Sequence, residues 1–109
     1  MDITTRDEGD TTVVMLNGKL DTNTTPAAES EINALIDAGA SKLLINFEQL
    51  SYISSSGLRL LLATAKRLKG NGGDLQVCSL NVMATEVFEI SGFSTILKVF
   101  PNEQAALGS

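Results

Sequence analysis

Leu43-Leu44-Ile45, an unbroken apolar run, is followed within a few residues by a stripe of Leu58, Leu61, Leu62, Ala65 and Leu68. This pairing constrains the chain more than any other feature. A strand over Lys42 to Phe47 with no polar face has to be covered on both sides. The stripe repeats at helical spacing and needs an apolar surface to lie on. Together they demand an α/β structure in which helices pack against a sheet.

The remaining segments extend that pattern. Ile3 to Glu8 and Thr12 to Leu20, separated by Gly9-Asp10, read as a hairpin. After the polar loop Asp21-Thr22-Asn23-Thr24, a helix begins with Thr25 as N-cap and Pro26 in its first turn. Ala28, Ile32, Leu35 and Ile36 follow helical spacing, and Gly39 is the expected stop. Leu75 to Leu80 forms the next strand. Val82, Met83, Val87, Phe88 and Ile90 line a shorter helix ending near Gly92, and Ile96 to Phe100 gives a last strand. Asn102 to Ser109 either starts a short helix or frays. The predicted order is β-β-α-β-α-β-α-β, a mixed and mostly parallel sheet joined by right-handed crossovers. A chain of 109 residues forms one such domain, spanning residues 1–109.

Composition narrows the chemistry. The chain has no histidine, which removes Ser-His-Asp and Cys-His nucleophilic mechanisms and the common zinc constellations. A net charge of −5 argues against direct contact with nucleic acid or an anionic membrane. Arg59, Lys66, Arg67 and Lys69 cluster on one predicted helix and read as a solvated face. The lone Cys78 lies in a predicted strand, where it acts as a small buried hydrophobe. Met1 to Asp10 is charged and lacks the apolar segment of a signal peptide, so the expected location is cytoplasmic.

Two polar stretches invite a functional reading. Gly70-Asn71-Gly72-Gly73 follows a helix, so carbonyls rather than N–H groups face it, and it reads as a C-cap and turn. Ser54-Ser55-Ser56-Gly57 instead precedes a helix, where N–H groups point outward and favour negative charge. Ser55 or Ser56 can serve there as an N-cap, or a serine can accept a phosphoryl group. A nucleophilic role has no histidine base, and no Ser-x-x-Lys spacing supports one.

The run Leu50-Ser51-Tyr52-Ile53-Ser54-Ser55-Ser56-Gly57-Leu58-Arg59-Leu60-Leu61-Leu62 resembles the signature of the STAS domain, and single-domain bacterial anti-sigma factor antagonists look most similar. Gly18-Lys19-Leu20-Asp21, the strand Lys42 to Phe47 and Val87 to Phe93 agree in order and spacing. The resemblance implies four helices on a mixed sheet, with the signature serine capping the second helix. It also implies partner switching without catalysis, metal or cofactor. The unmodified antagonist binds an anti-sigma factor that is also a serine kinase, the kinase phosphorylates it, and a serine phosphatase resets it. In the family pattern Asp-Ser-[Ser/Thr]-Gly the modified serine falls on Ser55, while Ser56 and Gly57 fill the next two positions. Ser54 stands where that pattern has Asp, which leaves Ser54 as a competing acceptor. Asp21, Thr22 and Asn23 join Ser54, Ser56 and Gly57 as the expected partner-binding residues. Two other readings are a STAS scaffold or regulatory subunit that is never phosphorylated, and a small nucleotide-binding module, which lacks any phosphate loop.

Overall fold

The computed structural model describes residues 1–108. In chain order the elements are β1 (Asp2–Glu8), β2 (Thr11–Leu20), α1 (Thr25–Asp37), β3 (Lys42–Asn46), β4 (Leu50–Ile53) and α2 (Ser55–Gly70). They continue with β5 (Asp74–Cys78), α3 (Val82–Ser91), a 3-10 turn (Phe93–Thr95), β6 (Lys98–Phe100) and α4 (Glu103–Leu107). The sheet runs β1-β2-β3-β5-β6, with β1 antiparallel to β2 and the other pairs parallel. The mixed, mostly parallel α/β architecture expected from the sequence is the one observed.

β2 is long because it serves two partners in turn. Thr11 to Met15 pair with β3, and Gly18 to Leu20 pair with β4. Strand β4 is absent from the sequence reading, for a physical reason. Between Gly18 and Lys19 the register shifts, because Leu50 faces Gly18 while Tyr52 faces Lys19. Ser51 is therefore the extra residue of a bulge, and its hydroxyl donates to the Gly18 carbonyl at 3.0 Å. The bulge resets the side-chain phase so that Leu50 and Ile53, three apart, are both buried. Four residues without period-two alternation carry no strand signal.

Both faces of the sheet are covered at β3, as its apolar run requires. On one side Leu43 and Ile45 join Val14, Leu16, Leu75 and Val77 beneath the helices, which contribute Ile32, Leu61, Leu68 and Phe88. Phe88 stacks edge-on against Phe47 at 5.9 Å between ring centroids. On the other side Leu44, Val13 and Cys78 form a second small core with Ala106 of α4 and Phe100. Cys78 is fully buried, and that burial pushes its thiol above the ordinary range, consistent with a packing role. α4 is held by Glu103, which pairs with Arg6 of β1 and accepts from the buried Asn46 amide.

The starts of α1 and β6 differ from expectation. Thr25 is the first residue of α1 rather than its cap, and Thr24 sits at the cap without a side-chain cap bond. The Thr24 hydroxyl is occupied elsewhere, donating to the Lys19 carbonyl at 2.7 Å. β6 starts at Lys98, because Phe93–Thr95 turn as a 3-10 helix before Leu97 plugs into the core. The C-terminal segment does form a helix, five residues long.

Two glycines mark close approaches. A Cβ on Gly57 would lie 2.9 Å from Ile53 Cγ1 and from two atoms of Leu20, and a Cβ on Gly73 would lie 1.8 Å from the Ser41 carbonyl oxygen. Flexible leucine and isoleucine tips can yield, whereas a backbone carbonyl cannot move without shifting the chain. Gly57→Ala is expected to cost about 1–3 kcal/mol by overpacking, and Gly73→Ala more than that. Urea unfolding midpoints of the two variants test the order; a milder effect at Gly73 would contradict this packing.

Candidate functional site

The site is assembled by the ends of two neighbouring parallel strands. Leu20, the last residue of β2, lies opposite Ile53, the last residue of β4. The Ser54 N–H donates to the Leu20 carbonyl at 2.9 Å. The chain thus leaves β2 into the Asp21 loop at the point where β4 turns into α2. Gly57 is buried against the same Leu20 and Ile53 side chains, which seats the first turn of α2 on the strand ends. This is the carboxyl edge of the parallel strands, where loops of α/β sheets commonly present functional groups.

The three serines do three different things. Ser54, not Ser55 or Ser56, is the N-cap: its backbone is extended, and its hydroxyl accepts from the Gly57 N–H at 3.2 Å. Its carbonyl accepts from the Leu58 N–H at 3.0 Å. Ser55 is the first helical residue, exposed, and its hydroxyl makes no hydrogen bond among the described residues. Ser56 is half-buried and accepts from the Arg59 guanidinium at 3.2 Å. The expectation that Ser55 or Ser56 caps the helix is corrected by one residue, because α2 begins one residue earlier than a cap at Ser55 would require. The departure from the family pattern also gains a meaning here. Asp and Ser are near-equal N-caps, so Ser54 does the structural work of the Asp it replaces without its charge.

On the other side of the Leu20–Ser54 bond, Asp21 organises its own loop. One carboxylate oxygen accepts from the Asn23 N–H at 2.9 Å and the Thr24 N–H at 3.0 Å. The Asp21 N–H donates to the Thr24 hydroxyl at 2.9 Å, and the Thr25 hydroxyl donates to the Asp21 carbonyl at 2.6 Å. The Thr24 amide, and after it the Asn23 amide, hold the Asp21 carboxyl below the usual range. Because the folded value is depressed, its contribution to the turn is present above the ordinary carboxylate range and lost as pH falls through the lowered value. Thr22 and Asn23 are exposed at the tip.

Electrostatically the start of α2 is ready for an anion. Its first turn contains no acidic residue, and Arg59 lies one turn along. The basic cluster seen in the sequence divides. Arg59 faces the serines, while Arg67 pairs with Asp37 of α1 and donates to Asn33 at 2.9 Å.

Sequence reasoning missed the exposure of several large side chains. Tyr52 on β4 is 46% exposed, and Val82 at the start of α3 is 77% exposed. Asn81 ties α3 to this edge by donating to the Leu50 carbonyl at 3.2 Å while its side-chain oxygen caps α3 at the Ala84 N–H. Tyr52 lies in the signature run and could have been noticed as a large side chain on an edge strand; Val82 and Ile90 were expected to line α3, but both point to solvent, Ile90 at 88% exposure.

Comparison with known proteins places the chain in a family. The STAS domain model matches residues 2–106, and the chain belongs to that family. BtrV of Bordetella bronchiseptica, assigned as an anti-sigma factor antagonist, is 37% identical over 94 residues, covering 86% of this chain and 81% of that protein. A crystal structure of an anti-sigma factor antagonist from Mycobacterium paratuberculosis superposes with a TM-score of 0.91 at 24% identity, covering 98% of this chain and 91% of the other. The Bacillus cell fate determinant SpoIIAA in its phosphorylated form gives a TM-score of 0.77 at 26% identity, covering 98% and 97%. No helix among the described residues is long and apolar enough to cross a membrane.

The distinct roles of the serines make a stability prediction. Ser54→Ala should cost about 1 kcal/mol, the worth of an N-cap, and Ser54→Asp should cost almost nothing. Ser55→Ala should stay within about 0.5 kcal/mol of the parent. Thermal or urea unfolding of the three variants checks this; equal losses at Ser54 and Ser55 would contradict the assignment of the cap.

Proposed function

We propose that this protein is a cytoplasmic anti-sigma factor antagonist that works by partner switching, with Ser55 as the phosphoacceptor. One observation carries the reading: Ser55 presents an exposed hydroxyl, unbonded among the described residues, at the first position of α2, while its neighbour Ser54 makes the structural cap. The names of the BtrV relative and of the phosphorylated SpoIIAA structure support it. The protein performs no chemistry of its own. Its partner is an anti-sigma factor with serine kinase activity, and a serine phosphatase reverses the modification; neither nucleic acid nor membrane is contacted.

Binding uses the surface around the carboxyl edge: the Asp21-Thr22-Asn23 loop, Ser54 and Ser56, with Tyr52 alongside; Gly57, expected among the contact residues, is buried beneath it and acts by seating the first turn of α2. A typical interface of this kind covers roughly 800 Å² of each partner. The kinase transfers the γ-phosphoryl group of ATP to the Ser55 hydroxyl oxygen, ADP leaves, and the hydroxyl proton passes to a base on the kinase. Hydrolysis by the phosphatase releases inorganic phosphate and restores the hydroxyl.

The modification need not unfold the domain. A phosphate on Ser55 gains from the outward N–H groups of the first turn and from Arg59 nearby. It brings about −1.5 to −2 charges onto the surface a partner touches. Each 1.4 kcal/mol of repulsion or lost contact weakens binding about tenfold, so a loss near 3 kcal/mol separates the complex about a hundredfold.

Ser55→Ala should bind the anti-sigma kinase as the parent does but resist release by ATP, and Ser55→Asp should bind at least tenfold more weakly. Asp21→Ala should lower affinity or phosphorylation with the fold intact. Calorimetric titration against the kinase, with and without ATP, provides the test. Undiminished binding by Ser55→Asp, or ATP-driven release of Ser55→Ala, would overturn the assignment.

A further inference from the structure

Toward the other end of α2, lysine side chains gather around a second surface feature. α2 spans 16 residues, so its far end lies about 22 Å along the axis from Ser55. There the first residues of β3, β5 and β6 meet the end of α2 around a groove of about 600 Å³. Four of the chain's eight basic residues line it: Lys42, Lys66, Lys69 and Lys98. Asp74 is its one acidic lining residue and pairs with Lys98 at 2.7 Å, while Lys42 reaches Asp10 outside the groove at 3.8 Å. Lys66 and Lys69 are exposed and form no ion pair among the described residues. In a chain of net charge −5 this is a concentrated local excess of positive charge.

The groove is not only charged. Leu62, Ala65, Ile96 and Leu97 supply apolar lining between the lysines, and Ile96 is 57% exposed. Leu62, Lys66 and Lys69 follow one another at helical spacing, so one stripe of α2 presents an apolar base with ammonium groups above it.

We infer that this groove docks an acidic, aliphatic-bearing segment of a partner protein, independently of the Ser55 surface. Charge complementarity selects negative carboxylates, and the exposed Ile96 selects an apolar side chain between them. A compact phosphate group suits the groove poorly. No arginine fork lines the groove to hold one bidentately. Lysines spread around a rim instead suit spaced single charges along an extended segment. Because the two surfaces lie at opposite ends of α2, a partner held here leaves the carboxyl edge open, and the domain can carry two proteins at once.

The test uses the whole 15N-labelled protein and, as probe, a twelve-residue peptide of alternating glutamate and leucine. Saturable amide shifts are expected at Lys66, Lys69, Gly72, Ile96 and Lys98, with Ser54 to Gly57 unmoved. Lys66→Glu combined with Lys69→Glu should keep the spectrum of a folded protein and weaken the peptide at least tenfold, as should high salt. A peptide with lysine in place of glutamate should leave these amides unmoved. Absence of saturable shifts at these amides, or binding that survives the charge reversal, overturns the proposal. So does equal or tighter binding of inorganic phosphate, which would make the groove a simple anion site, or of phosphatidylglycerol vesicles, which would make it a lipid-facing one.

Discussion

The Ser54 N–H donates to the Leu20 carbonyl at 2.9 Å, and the functional edge of the molecule depends on that bond and the pairing behind it. β2 runs past the end of β3 and finds a second partner in β4, so the chain reaches α2 beside the strand end rather than away from it. Leu20 and Ile53 then share one buried floor, and Gly57 is the residue small enough to let the first turn of α2 rest on it. Without the Ser51 bulge, Leu50 and Ile53 would point to opposite faces and the floor would be incomplete.

From this arrangement comes a division of labour that a single serine could not provide. A residue that both caps a helix and accepts a phosphoryl group would surrender its cap bond on modification. Here the cap bond to the Gly57 N–H is made by Ser54 and not by Ser55. The phosphorylation proposed at Ser55 would therefore change the charge of the surface without removing the cap. On the far side of the sheet a separate latch, Arg6 to Glu103 to Asn46, holds α4 over the second core, and the Arg6 guanidinium and Asn46 amide keep the Glu103 carboxyl below its usual range. That latch touches none of the site residues, which leaves the switch and the scaffold mechanically separate.

Much of this was legible in the sequence, and the exceptions have identifiable causes. The β3 run and the α2 stripe are long and strongly periodic, so packing had no reason to override them. The STAS-like signature singled out Ser55 and the Asp21 loop, and the structure brings both to one edge through the Leu20–Ile53 pairing. Strand β4 escaped because four residues interrupted by a bulge show no alternation. The cap was misplaced by one residue because three consecutive serines offer three chemically equivalent caps, and only the backbone of Ser54 is extended. The lysine groove was illegible for a different reason: Lys42 and Lys98 come from strands far from Lys66 and Lys69 in the chain, and only the topology brings them together.

Phosphopeptide mass spectrometry on the protein isolated from its native cells tests the central claim most directly. Trypsin releases Leu43 to Arg59 as one peptide, so fragmentation can distinguish Ser54, Ser55 and Ser56. The account predicts a phosphate on Ser55 and none on Ser54, whose hydroxyl holds the cap. A phosphate on Ser54, or an unmodified peptide under every growth and stress condition, would contradict it.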